Sequence, residues 1–204
     1  MQRPPATLES ADIRLRRWRQ DEAEVVYRLV RESYDHLLPW MAWVRDYTRN
    51  DARSFIAATV VKWQTGEEFD FAVCVGAGPV GSIGVMMKGP DADHCPPPGG
   101  PRSGAEIGYW LHPAHTGHGI MTHAVAMLLE PTFALPGVEW VQIIHDRANA
   151  ASEGVPRRLG FTQLTRHAPP QSPVTSGEVG EDVVWRITPA ELRAGSPPGT
   201  STGG

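Results

Sequence analysis

The sequence predicts one domain of the α/β (α+β) class, in which a mixed sheet is covered by helices. Segments with a hydrophobic period of two alternate with segments of helical period, in the order β-αα-β-β-β-α-β-α-β-β. The composition supports a folded domain, since 41% of the 204 residues are hydrophobic and 21% are charged. We predict a single domain over residues 1–194, with a Pro- and Gly-rich loop at 88–104 and a disordered tail at 195–204.

The first third of the chain predicts a strand and two helices. Residues 13–16 alternate apolar and basic side chains, as in a strand with one buried face. Residues 21–34 and 51–65 place apolar side chains at helical spacing. Asn50 is positioned as the N-cap of the second helix, and Gly66 follows that helix as a stop.

The rest of the chain predicts a hairpin followed by alternating strands and helices. Gly and Pro at residues 76–79, between two apolar runs, indicate the hairpin turn. The predicted strands are 69–75, 80–87, 105–111, 138–144, 161–166 and 182–187, and the predicted helices are 119–130 and 150–159. A segment rich in Pro, Ser, Thr and Gly at 169–180 is predicted to be a loop.

The charge balance and the cysteines limit the function classes. A formal charge of −4 and a pI of about 6.0 do not predict binding to nucleic acid or to an anionic membrane. No apolar run approaches the roughly 18 residues of a membrane span, and no apolar signal core follows the N-terminus. Cys74 and Cys95 form neither a disulfide framework nor a zinc-ligand spacing. We therefore expect a cytoplasmic protein with no nucleic-acid or membrane partner.

The most informative stretch runs from Leu111 to Thr122, between a predicted strand and a predicted helix. Gly117 and Gly119 let the backbone approach a ligand, and the helix start offers unpaired N–H groups. A diphosphate suits such a turn, with His118 and Thr122 as additional donors. An ordinary glycine turn accounts for the segment equally well, because it matches neither the P-loop nor the G-x-G-x-x-G fingerprint.

Histidines surround the same turn and raise the question of a metal site. They are His112, His115, His118 and His123. Their spacings place them around a turn, and neither a carboxylate nor a cysteine completes a ligand set. We therefore expect no metal.

A second pattern follows the next predicted strand. Asn149 opens a helix, Ser152 lies in its first turn, and Gly160 follows its end. Taken alone, Asn149 is an N-cap and Gly160 a C-cap. The glycine turn and this segment, at this distance along the chain, indicate a ligand site more specifically together than either does by itself.

Five segments together resemble the GNAT superfamily of N-acetyltransferases, and most closely its RimJ/RimL-type branch. They are residues 36–44 (HLLPWMAWV), residues 106–111 (EIGYWL), residues 117–119 (GHG), Asn149-x-x-Ser152 and residues 159–161 (LGF). The resemblance extends from about residue 13 to residue 187. That branch acetylates N-terminal amines of ribosomal proteins and, in relatives, various small amines.

The resemblance implies a fold in which two central strands splay apart, around residues 109–113 and 143–146. It implies acetyl-CoA as the cosubstrate, with pantetheine between the strands and the diphosphate on residues 116–122. Asn149 and Ser152 would face the pantetheine arm and the sulfur. The cofactor-binding residues implied in this way are Leu111, His112, Thr116, Gly117, His118, Gly119, Ile120, Met121, Thr122, Asn149 and Ser152.

Three positions depart from the family pattern. Thr116 and Met121 occupy the first and last positions of the signature Q/R-x-x-G-x-G/A, and the bulk of Met121 is expected to crowd the phosphate turn. Pro156 stands where many members carry a tyrosine general acid, and a proline there weakens the helix. Ser152 then remains as the acid, as the RimL-like branch implies.

Acetyl transfer needs a neutral amine, a stabilised oxyanion and a protonated leaving thiolate. We predict that Glu106 accepts the amine proton, directly or through water, and that Ser152 protonates the sulfur. A backbone N–H near Leu111 is predicted to hold the oxyanion. The rival bases are Glu178, Glu181, His145 and Asp146.

Aromatic and imidazole side chains precede the second predicted helix and, by the resemblance, form the wall of the acceptor side. They are Tyr34, His36, Trp40 and Trp43. Aromatic residues often line ligand sites. Burial in the core is the competing explanation for the tryptophans.

The sequence thus predicts an acetyl-CoA-dependent N-acetyltransferase that acts on a primary amine, such as the α-amine of a protein N-terminus. Three alternatives stay open. One is an acetyltransferase of a small amine, such as an antibiotic, a polyamine or an aminoacyl nucleotide. The others are a non-catalytic acyl-CoA-binding module and a fold with a decayed site. The sequence is also compatible with a homodimer.

Overall fold

Eight strands form one sheet in the computed structural model, which describes residues 2–89, 103–166 and 173–195. The strands are β1 (Thr7–Ser10), β2 (Ile13–Arg17), β3 (Glu68–Val75), β4 (Gly78–Lys88), β5 (Gly104–Leu111), β6 (Trp140–Asp146), β7 (Thr162–Arg166) and β8 (Asp182–Ile187). The helices are α1 (Ala23–Glu32), α2 (Tyr34–Leu37), α3 (Arg49–Thr65), α4 (Ile120–Phe133), α5 (Ala150–Arg158) and α6 (Pro189–Gly195), with short 3-10 helices at Ala42–Val44 and Pro113–His115. The predicted mixed α/β architecture is confirmed.

The sheet has the strand order β1-β2-β3-β4-β5-β6-β8-β7. Neighbouring strands are antiparallel except β5 and β6, which are parallel. These two strands pair only near their beginnings, from Gly104 with Trp140 to Glu106 with Gln142. Beyond that point the ladder between them stops, although both strands continue. The predicted splay of two central strands is therefore confirmed.

Alternating side chains of the central strands build a core on each face of the sheet. On β3, Phe71 and Val73 belong to the cluster that contains Leu128 of α4. Ala72, between them in sequence, belongs to a second cluster with Val30 of α1. Helices therefore cover both faces. Within the described residues, no helix has the length and apolar character needed to cross a membrane.

The helices before β3 differ from the prediction mainly at their ends. Helix α1 (Ala23–Glu32) is shorter than the predicted 21–34, and neither α2 nor β1 was predicted. The N-cap of α3 is Thr48, so the prediction of Asn50 was wrong. Thr48 Oγ1 accepts the Asp51 N–H at 3.3 Å, and the Asp51 carboxylate accepts the Thr48 N–H at 2.8 Å. This reciprocal capping box fixes the start. Gly66 ends α3 in a left-handed conformation (φ 71°), as predicted.

Two helices continue past prolines, and the predicted loop is shorter than expected. Helix α4 contains Pro131 and ends at Phe133, and α5 contains Pro156. Lys88 pairs with Gly104 in the ladder between β4 and β5, so both ends of the predicted loop at 88–104 are strand residues. Residues 90–102 lie outside the described residues. Residue 195 is the last residue of α6, and the rest of the predicted tail also lies outside them.

Candidate active site

A cavity of about 660 Å³ lies where β5 and β6 diverge. Its walls come from the second halves of β5 and β6, the glycine turn, the first turns of α4 and α5, and the segment around α2. The predicted site residues that line it are His36, Trp40, Leu111, Thr116, Gly117, Gly119, Ile120, Met121, Thr122, Asn149 and Ser152. The predicted residues that do not line it are Tyr34, Trp43, Glu106, His112 and His118.

The backbone of the glycine turn fits an anionic ligand. Gly117 and Gly119 have φ of 77° and 75°, which L side chains rarely adopt, and a Cβ built on either would meet no atom within 4 Å. Helix α4 starts at Ile120 without a side-chain cap. The N–H groups of its first turn, together with the partial positive charge of the helix start, suit the diphosphate of CoA without a lysine.

The side chains around the turn mostly shape it. The Thr116 hydroxyl donates to the Pro113 carbonyl at 2.9 Å, and His112 Nδ1 accepts the Ala114 N–H at 3.2 Å. His112 therefore caps the short 3-10 helix rather than lining the cavity. His115, which was not among the predicted residues, does line it. Nothing in the sequence distinguished His115 from the neighbouring histidines.

Two further expectations concern Met121 and a metal ion. The Met121 side chain is buried in the main core cluster and also lines the cavity, so the crowding of the phosphate turn stays a prediction. In residues 2–89, 103–166 and 173–195, no group of three or more His, Cys, Asp or Glu side chains is placed to hold a metal ion.

The first turn of α5 brings Ser152 to the cavity. Asn149 caps the helix as predicted, and its Oδ1 accepts the Ser152 N–H at 3.1 Å. The Tyr109 hydroxyl, from β5, lies 3.2 Å from both the Ser152 carbonyl oxygen and Ser152 Oγ. Burial raises the pKa of Tyr109 to about 12, so the phenol is protonated at neutral pH. Tyr109 was not predicted, although alternation places it on the same face of β5 as Ile107 and Leu111.

Glu106 lies at the base of the splay rather than in the cavity wall. Its Oε2 is 3.1 Å from Lys88 Nζ and accepts a hydrogen bond from Gln142 Nε2 at 3.0 Å. A general base needs to reach the proton that it removes. Glu106 does not line the cavity, and its role as the base stays a prediction.

Two of the rival bases are engaged in structural hydrogen bonds. His145 Nε2 accepts the Trp185 indole N–H at 3.0 Å, which leaves Nδ1 as the protonated nitrogen, 2.8 Å from the Asp146 carbonyl oxygen. The Asp146 carboxylate accepts the N–H groups of Ala148 and of residues 179–181. Burial alone would raise the pKa of Asp146, but these backbone bonds outweigh it and hold the pKa below its usual value.

Glu178 also lines the cavity, as His145 and Asp146 do, and it stays a candidate base. Its Oε2 accepts the N–H groups of Val174 and Thr175 at 2.8 and 3.0 Å. Glu181, in contrast, does not line the cavity, and its Oε2 accepts a hydrogen bond from Arg147 Nε at 2.7 Å.

Four residues from α2 and the chain after it line the part of the cavity that the resemblance assigns to the acceptor, here called the acceptor end: His36, Leu37, Trp40 and Met41. The other two predicted acceptor residues lie elsewhere. Tyr34 packs against the second core cluster, and Trp43 is exposed, with its ring edge-on to Tyr47 at 5.4 Å between centroids. Burial lowers the pKa of His36, and the neighbouring His112 lowers it further, so the His36 imidazole is neutral at pH 7.

Residues 173–180, here called the acceptor strap, pack against the acceptor end. The Thr175 hydroxyl and the Gly177 N–H both donate to the Pro39 carbonyl oxygen. A Cβ on Gly177 would lie 2.5 Å from that oxygen, so this close approach requires glycine. Asp146 holds the far end of the strap through backbone N–H groups. Glu178 therefore lies between two anchored points.

Solved structures of similar fold include two ribosomal-protein acetyltransferases and a self-immunity enzyme. RimL, a ribosomal L7/L12 α-N-protein acetyltransferase in complex with CoA, is 19% identical, with a TM-score of 0.75 over 90% of this chain and 96% of that one. RimJ of Mycobacterium smegmatis, in complex with CoA-disulfide, is 24% identical, with a TM-score of 0.73 over 93% and 86%. The microcin C7 self-immunity acetyltransferase MccE, in complex with acetyl-CoA and AMP, is 20% identical, with a TM-score of 0.74 over 88% and 93%.

The sequence comparisons identify the family. A search of curated protein sequences finds no significant match to this chain. A family model described as the acetyltransferase (GNAT) domain matches residues 12–162, which is most of the chain. With the splayed strands and the glycine turn in the expected places, the chain belongs to the GNAT family of acetyltransferases.

Proposed function

We propose that this acetyltransferase moves the acetyl group of acetyl-CoA onto the α-amine of a peptide or protein N-terminus. The observation that carries the proposal is one continuous cavity. It joins the glycine turn before α4 to the acceptor end beside the strap, and it passes Leu111 and Ser152 between them. If the diphosphate of acetyl-CoA lies on the turn, its thioester would meet an amine from the acceptor end where β5 and β6 diverge.

The backbone of β5 offers a hydrogen-bond donor at that meeting point. Backbone N–H groups alternate in direction along a strand, and the His112 N–H donates to the Val80 carbonyl of the β4 strand at 2.8 Å. The N–H of Leu111 therefore faces the opposite edge, toward β6. The two strands are unpaired at this level. This geometry supports Leu111 as the donor to the oxyanion.

Two residues of the chain accept and donate the protons that the reaction moves. When acetyl-CoA is bound, its thioester supplies an activated acetyl group. Glu178 accepts a proton from the attacking amine, and Ser152 gives a proton to the leaving sulfur as the C–N bond forms and the C–S bond breaks. The proton on Glu178 returns to Ser152 through water. The enzyme then ends each turnover in its starting protonation state.

The weak bases around the cavity favour an α-amine over a lysine as acceptor. An α-amine with a pKa near 8 is about 10% neutral at pH 7, whereas a lysine near 10.4 is less than about 0.1% neutral. His145 is bonded to Trp185, and the pKa values of Asp146 and His36 are lowered. The lowered pKa values of Asp146 and His36 make these two groups poor bases for the deprotonation of a lysine. An acceptor that already has a substantial neutral fraction suits such a site.

A matched pair of peptides tests the acceptor. One peptide carries a free N-terminus and no lysine, and the other carries a blocked N-terminus and one internal lysine. We expect CoA thiol to be released at least about tenfold faster with the first, because of its larger neutral fraction. Turnover only on small amines would replace the proposed acceptor with a small molecule. CoA binding without turnover on any amine would identify a non-catalytic module.

A matched pair of variants tests the base. Glu178→Gln keeps an oxygen for the Val174 and Thr175 N–H groups but removes the base. We expect kcat/KM at pH 7 to fall about 100-fold in Glu178→Gln, while Glu106→Gln retains most of the activity. A larger loss in Glu106→Gln would return the base role to Glu106.

We further propose that the enzyme works in the cytoplasm. The chain has two cysteines, and Cys74 is a buried free thiol on β3. A reducing compartment suits such a chain. Fractionation of cells that produce the protein tests this location, and recovery with secreted proteins would contradict it.

A further inference from the structure

Helix α5 contains a proline in its interior, and one carbonyl of the helix consequently loses its usual partner. In an α-helix the N–H of residue i+4 donates to the carbonyl of residue i. Pro156 is buried in α5 and has no N–H, so it cannot donate to the Ser152 carbonyl oxygen. Without another donor, the turn that carries Ser152 would be weakened.

Tyr109 supplies the missing donor from outside the helix. Its hydroxyl donates to the Ser152 carbonyl oxygen at 3.2 Å and also lies 3.2 Å from Ser152 Oγ. Tyr109 and Ser152 are 43 residues apart, so the contact joins β5 to the first turn of α5 across the splay. Asn149 Oδ1 accepts the Ser152 N–H at 3.1 Å. Both backbone groups and the side chain of Ser152 are therefore held.

We propose that Tyr109 is the positioning residue for Ser152: it replaces the helical N–H that Pro156 removes and holds the Ser152 hydroxyl at the reaction centre. The inference rests on the proposed function, because acetyl transfer is what gives the Ser152 hydroxyl a proton to deliver. It adds a residue from β5 to the site, and it explains how α5 continues through Pro156 while Ser152 stays in place.

The protons at this contact have a defined arrangement. A phenol has one proton and a carbonyl only accepts, so the Tyr109 proton serves the carbonyl, and Ser152 Oγ donates to the phenol oxygen at rest. Burial raises the pKa of Tyr109 to about 12, so the phenol keeps its proton. The Ser152 hydroxyl then exchanges its bond between the Tyr109 oxygen and the leaving sulfur by rotation about one bond. Tyr109 itself transfers no proton.

Two substitutions separate the anchoring of the helix from the placement of the hydroxyl. Tyr109→Phe removes both contacts, whereas Pro156→Ala returns an N–H that can serve the Ser152 carbonyl but not its hydroxyl. We expect Tyr109→Phe to lower Tm by about 3–8 °C. In the Pro156→Ala background, Tyr109→Phe should lower Tm only slightly. In both backgrounds kcat should fall about tenfold or more, with KM for acetyl-CoA within about twofold of its value before the substitution.

Two controls complete the experiment. Tyr27→Phe, on α1 and away from the cavity, should leave kcat unchanged. Ser152→Ala combined with Tyr109→Phe should reduce kcat no more than Ser152→Ala alone, because both act through one hydroxyl.

Three results would overturn the positioning role. The first is a wild-type kcat in Tyr109→Phe. The second is a loss of kcat in the Tyr109→Phe, Ser152→Ala double variant that equals the product of the two single losses. The third is a full recovery of the kcat of Tyr109→Phe when Pro156→Ala is added. A wild-type protein that binds CoA and acetylates no amine would instead overturn the proposed function and, with it, the catalytic half of the inference. The Tm measurements would still decide whether Tyr109 replaces the helical N–H.

Discussion

Two glycines with the same positive φ allow the diphosphate site to be tested separately from stability. Gly119 precedes α4 and lines the cavity, whereas Gly160 follows α5 and does not line it. Both have φ of 75°, and a Cβ built on either would meet no atom within 4 Å. Alanine therefore encounters the same backbone strain and no steric clash at either position.

This strain sets the expected loss of stability. A left-handed conformation costs an L residue about 1–2 kcal/mol, which lowers Tm by about 2–8 °C in a chain of this size. We expect the same Tm loss in Gly119→Ala and Gly160→Ala. The two variants should differ in CoA binding, because a methyl group at position 119 occupies space that a phosphate needs beside the first-turn N–H groups of α4.

Calorimetric titration with CoA measures this difference. We expect the Kd of Gly119→Ala to rise at least about tenfold, which is a loss of about 1.4 kcal/mol of binding free energy. Gly160→Ala should bind within about twofold of the wild type. If Gly119→Ala binds CoA as tightly as Gly160→Ala, the diphosphate does not lie on this turn, and the position assigned to the whole cofactor is wrong.

Three further predictions concern stability and the acceptor end. Burial raises the pKa of Asp70 to about 8, whereas an unfolded aspartate ionises near 3.9; the folded state binds the extra proton between these values, so stability falls as the pH rises from about 4 to about 8. Asp70→Asn stays neutral and should flatten that fall in a Tm series, and an unchanged slope would contradict the raised pKa. Gly177→Ala should raise KM for the acceptor amine without changing the Kd of CoA, because its Cβ would lie 2.5 Å from the Pro39 carbonyl oxygen; an unaltered KM would exclude a role of the strap in acceptor binding. Thr48→Ala should lower Tm by about 2–4 °C and Asn50→Ala should not, and equal effects would argue against Thr48 as the cap.

Runs of apolar residues predicted the central strands because these strands are buried on both faces. Strands β3 and β4 have nearly continuous buried residues, and the structure contains a strand at every predicted place. The edge strand β1 was missed because its side chains are mostly exposed and need no alternation. The start of α3 was misplaced by two residues for a different reason. Threonine and asparagine are both good N-cap residues. The choice between Thr48 and Asn50 depends on the hydrogen bond that the Asp51 carboxylate accepts from the Thr48 N–H.

Within the site, local backbone features were predictable and long-range contacts were not. The glycine turn and the Asn149 cap depend on neighbouring residues, so one sequence suffices to predict them. The role of Glu106 depends on Gln142, 36 residues away, and the role of Tyr109 depends on Ser152, 43 residues away. No periodicity or spacing rule links such partners, because only the folded sheet brings them together.

Several ionisable side chains around the splayed strands make hydrogen bonds or ion pairs that maintain the architecture. Asp146 holds the acceptor strap, His145 accepts from Trp185, and Glu106 pairs with Lys88 at the base of the splay. The rate then depends strongly on the acidity of the acceptor itself. At pH 7 an amine with a pKa near 8 has about two hundred times the neutral fraction of a lysine near 10.4, equivalent to about 3 kcal/mol. Selectivity for α-amines would therefore arise before any side chain of the acceptor is recognised. Extending the enzyme to lysine would require a stronger base at position 178 more than a wider acceptor end.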